Sequence, residues 1–259
     1  MKYQTLLPSL DTTNQDLWKP TSTKLKIEKN IVPLWKIFAV ENESYINQLK
    51  KNLSKDELNR AEKFHHKKDE LCYITARGAL KQILSNYINI PTNDISFSYN
   101  EFGKPYLSKK INSLDIQFNI SHSNNFIIFA FTLNHTIGVD IEKIHPKKDI
   151  SGIAKLVFSI AEYNQWLQCP PENKLNLFYQ LWTYKEAIIK AIGKGFSYNT
   201  KSFTIETLEK DIKIIFHDKK GFKIPEVWTI KSIPLEDTYY AAFATTQEIS
   251  QIKYYRLVL

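Results

Sequence analysis

Disulfides, a membrane span and a dense basic tail are all missing from this chain. Its two cysteines, Cys72 and Cys169, have no CxxC spacing, so neither a disulfide framework nor a zinc ribbon is available and both are read as reduced thiols. The longest uninterrupted apolar runs, such as Phe126 to Phe131, reach six residues, against the roughly 20 that a membrane-spanning helix needs. The opening Met1-Lys2-Tyr3-Gln4-Thr5-Leu6-Leu7-Pro8 has no extended apolar segment and no small-residue cleavage site. No secretory signal is expected, which places the protein in the cytoplasm. Basic residues fall in scattered pairs (Lys50-Lys51, Lys67-Lys68, Lys109-Lys110, Lys147-Lys148, Lys219-Lys220), a pattern that argues against a dedicated nucleic-acid tail.

What is present is a chain of 259 residues, 43% apolar and 13% aromatic, enough to bury one large core or two smaller ones. A formal net charge of +8 points to an anionic partner: nucleic acid, a membrane surface, a polyphosphate ligand or an acidic protein.

Residues 1–30 are polar and without periodicity and read as an irregular leader, followed by a strand over 32–40. Apolar residues at helical intervals predict helices over 44–64 and 68–88. Short β-branched or aromatic runs at 95–99, 118–121, 126–133 and 137–142 predict an antiparallel meander. Helices are expected again over 153–167 and 174–192, the latter ended by Gly193 and Gly195, then strands near 202–206, 211–216, 226–232 and 238–245. Helices then strands, twice over, predict an α+β chain of two parts, 31–134 and 135–259.

Several positions carry chemistry, each with a plainer alternative. Asp140 and Glu142, two apart on a predicted strand, share a face and could hold a divalent cation; taken alone, the pair is better explained as a wet acidic strand face. Glu186 and Lys190 form an i, i+4 helix pair, worth about 0.3 kcal/mol as a surface ion pair. Lys185 is harder to dismiss, because it lies on the stripe of Phe178, Trp182, Ile189 and Ile192, where a cation wants an anion. Gly193-Lys194-Gly195 is a helix stop or a phosphate-binding turn. Asn119-Ile120-Ser121-His122-Ser123 ends a strand in groups suited to phosphate oxygens. Arg60, Lys63, His66 and Lys67 recur at helical spacing, as a solvated face or a second phosphate contact.

In order, Phe102-Gly103-Lys104-Pro105, Phe118-Asn119-Ile120-Ser121-His122-Ser123, Ile137-Gly138-Val139-Asp140-Ile141-Glu142, Phe158-Ser159-Ile160-Ala161-Glu162 and the run Trp182 to Gly195 around Lys185-Glu186 resemble the signature of the 4'-phosphopantetheinyl transferases, nearest the surfactin-synthetase-activating type. The resemblance covers about 34–245. It implies two similar α+β halves related by a pseudo-twofold axis, with coenzyme A in the cleft between them, and transfer of the phosphopantetheine arm to a serine of an apo acyl, peptidyl or polyketide carrier protein. It implies Mg²⁺, or Mn²⁺ in its place, on Asp140 and Glu142, with Glu186 as third ligand, base or both. It places Lys190 and His122 at the coenzyme A pyrophosphate, and Lys104 and Ser121 at the adenosine side. Lys185 is added as a cofactor contact. For the 3'-phosphate it suggests Arg60 and Lys63, with Arg77 as a substitute, because Glu57 stands where another cation is common and Cys72 where an arginine is frequent. A chain enclosing its own cleft is expected to be a monomer, with no nucleic-acid or membrane partner. Two rival readings are a catalytically inactive carrier-binding scaffold and a basic nucleic-acid-binding module.

Overall fold

Two strands, β5 (Ile116–Ser123) and β6 (Phe126–Leu133), pair from Ile116 opposite Leu133 to Ser123 opposite Phe126. Asn124 and Asn125 make the two-residue turn between them, and Asn124 supplies the positive φ of +53° that such a turn requires. In the computed structural model, which describes residues 17–21, 25–39, 43–146, 149–207, 212–217, 225 and 227–258, this hairpin ends a five-stranded sheet. The sheet order is β1 (Lys19–Thr21), β12 (Gln251–Leu257), β2 (Ile31–Phe38), β6, β5. A second sheet holds β10 (Thr229–Ser232), β11 (Tyr239–Thr245) and β7 (Ile137–Lys143), all antiparallel.

Burial alternation stacks these into four layers. Ala79, Leu80, Ile83 and Leu84 of helix α3 (Lys67–Ile88) pack on Trp35, Phe118, Phe129 and Phe131 on one face of the large sheet. Val32, Leu34, Ile128 and Ala130 on the other face meet Val139, Ile141 and Phe243 of the small sheet. The small sheet's far side, with Ala242 and Ala244, is covered by Phe178, Leu181, Ala187 and Ile188 of helix α6 (Pro171–Ile192). The expected α+β class is what is found. Among the described residues no helix is long and apolar enough to cross a membrane.

Four local expectations change. Each long helix predicted over 44–64 and 153–167 is two: α1 (Glu43–Lys50) with α2 (Lys55–Ala61), and α4 (Ser151–Val157) with α5 (Ile160–Gln168). Both breaks are capping boxes, in which Ser54 pairs reciprocally with Glu57 and Ser159 with Glu162. The meander stops at β6, because β7 leaves for the second sheet. The leader is not wholly irregular: Trp18 is buried, donates from Nε1 to Pro234 O at 3.1 Å, and precedes β1, which runs parallel to β12. Leu25 and Ile27 pack against the core, and residues 1–16 and 22–24 of the leader lie outside the described residues. Finally, β12 inserts between β1 and β2, so the last strand joins the first sheet and not the part beginning at residue 135.

Gly138 sets how closely α6 approaches β7. A Cβ there would lie 2.0 Å from Ala187 O and 2.3 Å from Ala191 N, so helix backbone rests directly on strand backbone. Gly138→Ala is expected to lower unfolding stability by about 3 kcal/mol through overpacking, read from denaturant melts. An unchanged midpoint would contradict this contact.

Candidate active site at the junction of β5, β7 and α6

Strands β5 and β7 are edge strands of different sheets, lying side by side and pointing the same way without a backbone ladder. Side chains take the ladder's place. Asn119 Oδ1 accepts from Val139 N at 2.9 Å, Ser121 Oγ from Ile141 N at 3.4 Å, and Ser123 Oγ from Lys143 N at 2.9 Å. Alternate residues of one strand thus satisfy the edge N–H groups of the other, which buried backbone requires.

This register sets Ser121 against Asp140. Asp140 is 3% exposed, and its Oδ1 accepts from Ser121 Oγ at 3.0 Å and Lys190 Nζ at 2.6 Å, while Lys190 Nζ also donates to Ser121 Oγ at 2.9 Å. Its other oxygen, Oδ2, is buried with no hydrogen-bond partner. Glu142, half-buried on the same face, accepts from Trp182 Nε1 at 3.2 Å. Glu186 stands one helical turn before Lys190. Burial, then the charge of Asp140, push its carboxyl up to about 7; Lys190 pulls the other way and Glu142 adds to the rise. The charges of Asp140 and Glu142 thus both act on Glu186.

His122 stands at the rim, its pKa lowered by desolvation and then by the Lys190 ammonium. It also lines a cavity of about 630 Å³ beside this cluster, whose wall includes Arg60, Lys68, Tyr73, Arg77 and His145. Arg60 and Arg77 share the cavity with His122. Lys63 is exposed and does not line it.

Two other lysines are fully committed elsewhere. Lys104 Nζ donates to Ile137 O at 3.0 Å, Lys190 O at 2.7 Å and Ala191 O at 3.1 Å, which uses all three of its hydrogens. Burial pulls this ammonium down to about 8, and the carbonyls at the negative end of α6 oppose that pull. Lys185, 2% exposed, donates to both oxygens of Glu162 at 2.8 and 2.7 Å and to Phe203 O at 3.0 Å. The anion this lysine wanted is a protein carboxylate. Neither ammonium keeps a hydrogen for a cofactor.

Sequence reasoning passed over Tyr73, Lys68 and His145. Tyr73 sits one helical turn before Arg77 on α3, a spacing that could have revealed it; His145 follows β7 in a loop with no local signal. Among the described residues no group of three or more acid, histidine or cysteine side chains is arranged to hold a metal ion.

Comparison with known proteins converges on one family. The model described as the 4'-phosphopantetheinyl transferase superfamily matches residues 136–244, and that described as 4'-phosphopantetheinyl transferase, N-terminal, matches residues 40–134. The 4'-phosphopantetheinyl transferase HetI of Nostoc sp. is 30% identical over 230 residues, covering 89% of this chain and 94% of its own. The transferase gsp of Aneurinibacillus migulanus is 37% identical over 67% of this chain and 70% of its own, and Sfp of Bacillus subtilis 35% identical over 64% and 69%.

Because Glu162 is fully buried against Lys185, Glu162→Gln should destabilise the fold by about 3–5 kcal/mol, leaving an uncompensated buried ammonium. Adding Lys185→Met should recover much of that loss in chemical denaturation, and a double variant no better than the single one would contradict the assignment.

Proposed function

The chain belongs to the 4'-phosphopantetheinyl transferase superfamily, and on that premise we propose that it moves the 4'-phosphopantetheine arm of coenzyme A onto a serine of an apo carrier protein, with Asp140, Glu142, Glu186, Lys190 and His122 as its working groups. The observation that carries this assignment of roles is the buried Asp140 carboxylate, whose Oδ2 has no hydrogen-bond partner, whose Oδ1 accepts from Lys190, and whose charge acts on Glu186.

The donor set suits a hard cation. Asp140, Glu142 and Glu186 would hold Mg²⁺, with Mn²⁺ acceptable to the same oxygens. Bound there, the ion supplies charge neutralisation at the pyrophosphate. The remaining work falls to the chain. The carrier serine hydroxyl attacks the β-phosphorus of coenzyme A, the bond to the α-phosphate oxygen breaks, and adenosine 3',5'-bisphosphate departs. Lys190 and His122 face the oxygens on which negative charge accumulates and stabilise it by position. Glu186 takes the serine proton directly or through water.

The cavity beside this cluster takes the nucleotide, with Arg60 and Arg77 toward the 3'-phosphate and the exposed Lys63 as an outer contact. Ser121 holds Lys190 and Asp140 together, at the pyrophosphate rather than the adenosine side. Lys104 acts there through the backbone of residues 190 and 191, and Lys185 through Glu162, rather than by touching the cofactor. The cleft lies between the parts 31–134 and 135–259, and we place the protein in the cytoplasm as a monomer with reduced Cys72 and Cys169. Carrier proteins that are acidic around the modified serine complement the net charge of +8.

Incubation with coenzyme A, Mg²⁺ and an apo carrier should add the phosphopantetheine mass to the carrier, read by mass spectrometry. Glu186→Gln should cut turnover by about 10²-fold or more with modest loss of coenzyme A binding; wild-type turnover would remove it from the chemistry. Lys190→Ala should weaken coenzyme A and slow transfer together. Carrier affinity should fall as ionic strength rises, and insensitivity to salt would rule out docking by charge.

A further inference from the structure

Arg77 is the most enclosed cation of the cavity wall, 7% exposed, and two of its three nitrogens are already held. Nη2 donates to the Tyr99 hydroxyl at 3.0 Å, Nε faces Glu57 Oε1 at 3.6 Å, and the Phe97 ring lies 4.7 Å from the guanidinium carbon. Nη1 and the hydroxyl of Tyr73 are buried and make no well-formed hydrogen bond, although the guanidinium lies close enough to the phenol to favour its ionised form. Both residues line the cavity.

Glu57 itself does not line the cavity, and its own orientation is fixed from behind. Its Oε2 accepts from Lys81 Nζ at 2.7 Å and from Ser54 N at 2.8 Å in the capping box of α2. Lys81 is 1% exposed and Glu57 is its ion-pair partner. The carboxylate therefore has one oxygen anchored in the fold and the other aimed at Arg77. Three residues further along α2, Arg60 lies 5.6 Å from the Tyr73 ring, against which Arg77 also packs at 5.8 Å. By joining α2 to α3, Glu57 sets the spacing of two guanidinium groups across one tyrosine.

We infer that Glu57 is a positioning residue that aims Arg77, and through α2 Arg60, at a terminal phosphomonoester, so that this corner distinguishes a nucleotide bearing a 3'-phosphate from one lacking it. The inference rests on the transferase reading, which puts coenzyme A in the cavity. It also explains why an acid stands where charge alone would favour a cation.

The sign of one substitution separates positioning from mere charge offset. A carboxylate that only reduced the local positive potential would, once neutralised, leave a site that binds phosphate more tightly. A carboxylate that aims Arg77 leaves a weaker one. Calorimetric titration of adenosine 3',5'-bisphosphate and adenosine 5'-monophosphate into wild type and Glu57→Gln reads this directly. The bisphosphate should weaken by about tenfold, the scale of one charge-assisted hydrogen bond, with the monophosphate within about twofold of wild type. Equal weakening of both nucleotides, no change in either, or a tighter bisphosphate would overturn the role. Should the unpaired Lys81 prevent folding, Glu57→Gln with Lys81→Met removes both buried charges and carries the same readout. Failure of the wild-type protein to modify an apo carrier overturns the transferase reading itself; wild-type transfer with an undiscriminating Glu57→Gln overturns only the positioning role.

Discussion

The junction between two sheet edges governs this molecule. Strands β5 and β7 each end a sheet, and an exposed edge with open N–H groups is a liability wherever it is buried. Here Asn119, Ser121 and Ser123 lend side-chain oxygens to the backbone of Val139, Ile141 and Lys143, so the two sheets meet in fixed register. That register brings Ser121 to Asp140. Gly138 then lets α6 lie on the strand closely enough for Lys190 to reach both. A single strand, β7, thus receives a hydrogen-bonded partner on one edge, a side-chain ladder on the other, a sheet on its apolar face and a helix on its acidic face.

The buried lysines divide the structural work. Lys185 ties α6 to the capping box of α5 and to β8 (Phe203–Thr207) through Glu162. Lys104, from the turn before β4 (Pro105–Leu107), clasps the C-terminal carbonyls of α6, and Asn100 of the same turn donates to Gly193 O at 2.8 Å. Lys81 anchors Glu57. Lys190 differs from all three: it is 29% exposed by its side chain, bonds Asp140 and Ser121, and belongs to a helix that Lys104 and Lys185 hold in place.

Much of this was legible in the amino-acid order. The alternation in Gly138-Val139-Asp140-Ile141-Glu142 gave the strand and its two faces, and Val139 and Ile141 do face the core between the sheets. Its acidic face is covered by α6 rather than wet, which no local pattern states, because it depends on backbone approach at Gly138. Both capping boxes were written as Ser-x-x-Glu, yet the helical spacing of leucines across 44–64 masked the first. Strand β12 went unread because Lys253, Tyr254 and Tyr255 do not alternate and are only partly buried, Arg256 is exposed, and the strand's partners are some 220 residues away. The fates of Lys104 and Lys185 were equally hidden: a motif names the residue, whereas three carbonyls or one distant glutamate decide what the ammonium does.

We propose that β5, β7 and α6 assemble one cation site on Asp140 Oδ2, Glu142 and Glu186. A crystal of the protein grown with Mn²⁺ and coenzyme A, measured for anomalous scattering, addresses it most directly. The account predicts a single strong peak at coordination distance from Asp140 Oδ2, with both glutamates around it and the pyrophosphate alongside. A peak elsewhere, or coenzyme A bound in the cavity with no metal on Asp140, would contradict it.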